Sequence, residues 1–235
     1  MPPFDHHHHA PRAVLGAGKP RPLDADALKA LRRRMTRRAH GVFQSRKMRA
    51  AIPWRHFDER DLIAVAELEP QILRYSMFPE RVPLHLEGDK VHWHVPSMLA
   101  WTPRGMAVLD AMPARTPGRE AIVEAVATAY AMRRVRYRAL TGAEIRVEPR
   151  FRNCRLILDH RRARPADVHK YAVTEALAVL GGRATVGRLV EMLPNVPEVR
   201  ATAFALVLDG RFAADLSVAD PDEMELALPA KETVS

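Results

Sequence analysis

Two hydrophobic periods alternate along the chain, and the places where one gives way to the other divide it. Residues 23–39 carry Leu28, Leu31 and Met35 at helical spacing behind Asp24 or Asp26 as cap, which predicts a helix ending in a dense run of arginines before Gly41. Residues 41–55, GVFQSRKMRAAIPWR, fit neither period and read as an ordered basic loop. Residues 56–68 predict a helix on Phe57, Leu62, Ile63, Ala66 and Leu68. The runs 71–78, 81–87, 91–101 and 105–112 are short and partly alternating, punctuated by Gly88-Asp89 and Pro103-Arg104-Gly105, and predict a meander of about four strands. A long helix over 118–136 follows, then a strand and turn within YRALTGAEIRVEP, then a helix over 150–162. Arg164-Pro165 marks a boundary. Beyond it come helices over 166–180, after Thr185, and over 197–208, then a turn at Asp209-Gly210 and a strand-like RFAADLS. The fold class expected is α/β: a mixed sheet flanked by helices, followed by a small winged helix-turn-helix-like domain. The domain reading is a flexible tail over 1–22, a basic helix and loop over 23–55, a core over 56–164, and a winged-helix-like domain with an acidic flexible tail over 165–235. The helix over 197–208, which would be the recognition helix, is poor in Arg and Lys, so a packing or protein-contact role for it is at least as well supported as groove reading.

Composition changes this picture in three ways. At 235 residues and 47% hydrophobic content the chain can bury a real core. Its single cysteine, Cys154, excludes an intramolecular disulfide framework and a cysteine-rich zinc module. No run of 18 apolar residues is present and no charged-then-apolar leader opens the sequence, from which a cytoplasmic protein without membrane contact is expected. The four histidines His6 to His9 would pick up metal adventitiously or represent the remnant of an affinity tag, and no function is assigned to them.

The net charge of +9 is concentrated in two blocks. Residues 1–55 hold 13 basic and 3 acidic side chains, and residues 133–164 hold 11 and 3. The two intervening stretches, 56–132 and 165–235, are net acidic. A solvated helix end accounts for a few arginines near a C-terminus, but eleven basic residues in 32 point to a polyanion, most simply nucleic acid. The residues expected to contact it are Arg32, Arg33, Arg34, Arg37, Arg38, Arg46, Lys47 and Arg49 from the first block, and Arg133, Arg134, Arg136, Arg152 and Arg155 from the second.

The order of elements over residues 41–112 carries a resemblance. Gly41-Val42-Phe43-Gln44-Ser45-Arg46-Lys47, then Phe57-Asp58-Glu59-Arg60-Asp61, then Glu69 through Pro79 in the form EPQILRYSMFP, resemble successive segments of the TnsA endonuclease family, the partner nucleases of a class of cut-and-paste transposons. Tyr137 to Thr141 and Glu144 to Arg146 resemble the family's last core strand and its exit. The resemblance spans roughly residues 40–215. It implies a restriction-endonuclease-like core, a winged-helix-like second domain, double-stranded DNA as partner, and a transposase subunit and an ATPase regulator as protein partners. It also implies an acidic cluster converging on Mg²⁺ or Mn²⁺, with a lysine to assist the attacking water.

The chain departs from that catalytic set. Glu59 matches the helix glutamate. The strand segment expected to hold the metal-bridging aspartate reads Pro96-Ser97-Met98-Leu99, so Ser97 stands in its place. The following strand, expected to end in a glutamate or glutamine two residues before a lysine, reads Leu109-Asp110-Ala111-Met112, so Asp110 keeps a carboxylate and Met112 replaces the lysine. A hydroxyl does not neutralise a divalent ion as a carboxylate does, and a thioether does not polarise water. Each loss is expected to remove several kcal/mol of transition-state stabilisation. Glu59 and Asp110 remain the candidate catalytic and metal-ligating residues. The expectation is a nuclease-like DNA-binding protein with impaired or lost activity, requiring Mg²⁺ or Mn²⁺ if active and no cofactor otherwise. The alternatives are an active metal-dependent endonuclease cleaving transposon ends, and a domesticated DNA-binding regulator. His92 and His94, two apart on a predicted strand, offer a transition-metal site with His56 or Glu59 as an alternative to a plain strand pair.

Overall fold

The computed structural model describes residues 14–24, 39–87 and 90–228. The predicted helix over 23–39, with Arg32, Arg33, Arg34, Arg37 and Arg38, falls almost wholly outside the described residues, as do His6 to His9. The protein is mixed α/β, with several small sheets and helices between them. Its contacts divide it into two units that interleave in sequence: residues up to 39 with 75–142, and residues 40–74 with 143 onward.

The first unit holds two sheets. Strand β1 (Val14–Ala17) pairs antiparallel with β5 (Val82–Leu86), which pairs with β6 (Lys90–His94). Within the stretch read as a flexible tail over 1–22, Val14–Ala17 thus form a strand, whose apolar residues are too few to show a period. The second sheet has the order β4 (Arg74–Met77), β7 (Met98–Thr102), β8 (Gly105–Ala111), β9 (Arg136–Leu140). Strands β7 and β8 form a hairpin, whereas β8 and β9 run parallel. Parallel neighbours need a crossover, and helix α2 (Arg119–Ala131) supplies it. The run read as one strand over 91–101 is two, β6 and β7, because Pro96 has no N–H to offer a ladder. The core joins Val82 and Leu84 of β5, Val108 of β8, and Ala125, Val126, Ala129 and Tyr130 of α2.

In the second unit, residues 41–55 form a β-hairpin rather than the expected loop: β2 (Gly41–Ser45) against β3 (Ala50–Trp54), with Phe43 opposite Ile52. The turn places Arg49 at φ 51°, a left-handed conformation usually marked by Gly or Asn, so the sequence gives no turn signal there. Helix α1 (Phe57–Leu68) follows as predicted, buried from Leu62 to Leu68. The short helix α3 (Gly142–Ile145) replaces the predicted turn, and α4 (Arg150–Asp159) buries Phe151, Cys154, Ile157 and Leu158. Then come α5 (Asp167–Val179), β10 (Arg183–Thr185), α6 (Val186–Met192) and α7 (Val199–Leu208). Thr185 caps α6 as expected, accepting a bond from the Arg188 N–H at 3.2 Å. A helix apolar on every side belongs in a core, and α7 buries every residue from Thr202 to Leu208 while packing on α4, α5 and α6. The strand-like RFAADLS narrows to β11 (Ala213–Ala214), and β12 (Glu225–Ala227), within the stretch read as an acidic tail, lies between β10 and β11.

Candidate nucleic-acid interface

One buried carboxylate fastens the hairpin turn to helix α1. Glu67, in the last turn of α1, accepts from Ser45 Oγ at 2.5 Å and from the backbone N–H groups of Arg46 and Lys47 at 3.0 and 3.2 Å. Ser45 Oγ accepts in turn from the Met48 N–H at 2.8 Å. The Lys47 side chain turns inward and donates to the carbonyls of Ala66, Glu69 and Ile72 at 2.6, 2.9 and 2.8 Å. These lie where α1 ends and its carbonyls lack helical partners. Burial lowers the Lys47 pKa to about 8, against the opposing pull of Glu67 and Glu69. Lys47, expected on DNA from the sequence, thus has its three donors engaged in holding the turn.

Arg46 and Arg49 of the same turn instead line cavities. A cavity of about 660 Å³ is walled by Arg46, Arg60, Arg155, Arg161, Arg162 and Arg164, with Trp54 and Phe43 of the hairpin. A second, of about 510 Å³, shares Arg155 and Asp159 with it and adds Arg146 and Arg152. A third, of about 810 Å³, shares Arg46 and adds Arg49 and Arg211 beside Leu73 and Phe212. The first cavity shares a wall residue with each of the other two, and the three together, termed the arginine track below, are lined by eleven basic residues, Lys47 among them, and five acidic ones.

The acidic residues on the track neutralise only part of this charge. Asp209 pairs with Arg46 at 2.5 Å, Asp61 with Arg60 at 2.9 Å, and Asp58 and Asp61 with Arg146 at 2.7 and 2.9 Å. Arg155, Arg161, Arg162 and Arg164 make no salt bridge among the described residues. Arg161 donates to Leu158 O in the last turn of α4 at 3.0 Å, which complements the helix C-terminus, and Arg164 donates to Ala163 O beyond the helix at 3.0 Å; both bonds leave the charge in place. The first cavity therefore has on its wall four guanidinium groups outside any salt bridge among the described residues.

The remaining basic residues expected on DNA divide between the units. Arg152 and Arg155 line the track. Arg133, Arg134 and Arg136 lie in the other unit: Arg133 pairs with Glu80 at 2.6 Å, Arg134 adopts φ 56°, and Arg136 donates to Thr102 Oγ1 at 3.1 Å. The second basic block is thus split between two bodies by the β9–α3 junction, which a running charge count does not reveal. Arg60, Arg146, Arg161, Arg162, Arg164 and Arg211 join the track although they were not among the residues expected on DNA. Glu67 was missed too, although an acidic residue in the last turn opposes the helix dipole and so signals a local task.

The positions where catalysis was expected have other partners. Glu59 is fully buried in the first turn of α1. Arg55 donates to it from Nε at 2.8 Å, from Nη2 and from its backbone N–H at 2.6 Å, and His56 Nε2 lies 3.5 Å away. Asp110, in the other unit, is buried on β8. It accepts from the Ser97 N–H at 3.1 Å, Ser97 Oγ at 3.2 Å and Tyr137 Oη at 2.9 Å, and shares a hydrogen bond with His94 Nε2 at 2.6 Å. Burial and then the Asp110 charge push the Tyr137 phenol well above its ordinary range, fixing it as a donor. Ser97 Oγ also accepts from the Ala111 N–H at 3.1 Å. Met112 is buried. Among the described residues no three His, Cys, Asp or Glu side chains gather as a metal would need, so the donor set does not fit a divalent ion. His94 is taken up by Asp110 rather than by a shared site with His92. Cys154 is buried and its thiol pKa is raised to about 11 by that burial, which leaves it unreactive.

No helix among the described residues is long and apolar enough to cross a membrane. No protein-family model matches the chain, and no curated protein matches it.

Proposed function

We propose that this protein binds double-stranded DNA through the arginine track and is a TnsA-like component of a transposition system whose endonuclease activity is impaired or lost. The observation that carries the reading is the track itself: a first cavity that shares Arg155 with the second and Arg46 with the third, and that has on its wall four guanidinium groups with no salt bridge among the described residues. A polyanion that places phosphates there would recover charge pairing and release counterions.

Support for the nuclease-like part is topological. The β4-β7-β8-β9 sheet with its α2 crossover is read as the restriction-endonuclease-like half of the fold. Helices α5 to α7 with the β10-β12-β11 sheet are read as the winged-helix-like part. Support for lost cleavage is chemical. The Arg55 guanidinium already supplies the positive charge that Glu59 needs, and Asp110 is saturated by Ser97, His94 and Tyr137. The assigned role is holding transposon-end DNA while a transposase subunit and an ATPase regulator act on it. A plasmid-nicking assay in Mg²⁺ or Mn²⁺ tests the loss of activity. The expected result is supercoiled plasmid unchanged over hours. Nicking that Glu59→Ala abolishes would overturn it.

A further inference from the structure

The 660 Å³ cavity has an aromatic wall as well as a basic one. Trp54, half-buried at the end of β3, lines it with Phe43, and Phe57 at the start of α1, beside the cavity rather than on its wall, lies next to Trp54 with ring centroids 5.8 Å apart. Phe57 is 52% exposed, and the Arg60 guanidinium lies 4.9 Å over its ring. The hairpin is built to admit the indole: a Cβ added at Gly41 would come within 2.5 Å of Trp54 Cζ2. Val42, 58% exposed, lines the same cavity. Exposed apolar side chains cost solvation unless something covers them, and here they stand among arginines.

Duplex DNA covers such a surface poorly. Its bases are stacked on one another and it turns phosphates and groove edges outward. An unpaired nucleotide presents both a π-face and a phosphate, the combination used on single-strand platforms. The cavity volume is also within the range of sites that enclose small organic groups. We propose that this cavity takes an unpaired nucleotide of single-stranded DNA, its base against Trp54 and Phe57 and its flanking phosphates on Arg155, Arg162 and Arg164. This rests on the reading of the track as a duplex DNA interface and adds to it a place for an unpaired nucleotide.

The test compares a single-stranded oligothymidylate with a duplex of the same length, at one salt concentration, on the full chain. Single-strand binding is expected to quench tryptophan emission. Phe57→Ser changes an exposed position and is expected to leave the circular dichroism spectrum intact. It is expected to weaken single-strand binding roughly tenfold, the scale of one lost base–aromatic stack, and duplex binding less than twofold. Trp54→Phe retains an aromatic face, so it is expected to keep the affinity and abolish the quenching. Equal weakening on both DNA forms, no weakening on either, or quenching that persists in Trp54→Phe would overturn the inference and leave duplex binding standing. Absence of binding to both forms by the unaltered chain would instead remove the DNA reading itself.

Discussion

Arg55 and Glu59 show how one residue changes the meaning of another. A buried carboxylate left alone is costly, and removing one partner of a buried ion pair typically costs about 3–5 kcal/mol. Glu59 is fully buried and Arg55 donates to it three times, once from the backbone. Arg55→Ala is therefore expected to destabilise the protein by about 3 kcal/mol or more in urea unfolding, while the double variant Arg55→Ala with Glu59→Gln recovers part of the loss because no charge is left unpaired. Lys47 gives a prediction in pH. Its folded pKa of about 8 lies below the ordinary 10.5, so between those values the unfolded chain binds more protons and stability rises with pH. Unfolding free energies of the unaltered protein and of Lys47→Met, measured across that window, are expected to diverge, with the unaltered protein gaining. A constant difference would contradict the assignment. At this scale the sequence was legible where identity alone decides chemistry: Ser97 and Met112 announce missing groups. It was not legible where a partner decides, because nothing in a run of Arg, Lys and Glu says that Lys47 turns inward to Ala66, Glu69 and Ile72 or that Arg55 closes on Glu59.

Elements were readable in proportion to their period. Helix α1 was predicted over 56–68 and runs Phe57–Leu68, and the cap at Thr185 lies where its hydroxyl and the apolar run after it place it. Thr185→Ala removes the acceptor for the Arg188 N–H and is expected to cost about 1 kcal/mol, read as a lower urea midpoint with unchanged slope. The β2–β3 hairpin was not legible because its pairing depends on a turn without Gly or Asn at the left-handed residue Arg49, and on a carboxylate twenty-one residues from Arg46. Strands β1 and β12 are short, and their pairing partners β5, β10 and β11 lie far along the chain, so local alternation has little to report. Helix α7 lies between these cases: its scarcity of Arg and Lys left packing, protein contact and groove reading open in the sequence, and the structure buries it from Thr202 to Leu208.

For the whole molecule the deciding quantity is charge and where the chain brings it. A net charge of +9 resolves along the sequence into two basic blocks, but interleaved units redistribute them. The hairpin turn and the α4 region meet in one unit and form the track, while Arg133, Arg134 and Arg136 go to the other. That regrouping was outside the reach of a residue count because it depends on contacts between residues more than a hundred positions apart, such as Arg46 with Asp209. The central claim, that the track is a DNA interface, is tested most directly by the salt dependence of duplex affinity in the unaltered chain and in the triple variant Arg155→Ala, Arg162→Ala, Arg164→Ala. The account predicts a steep linear fall of log affinity with log salt, and a slope shallower by roughly 3 in the variant, about 0.9 for each lost phosphate contact. A flat dependence, or a slope the three substitutions leave unchanged, would contradict it.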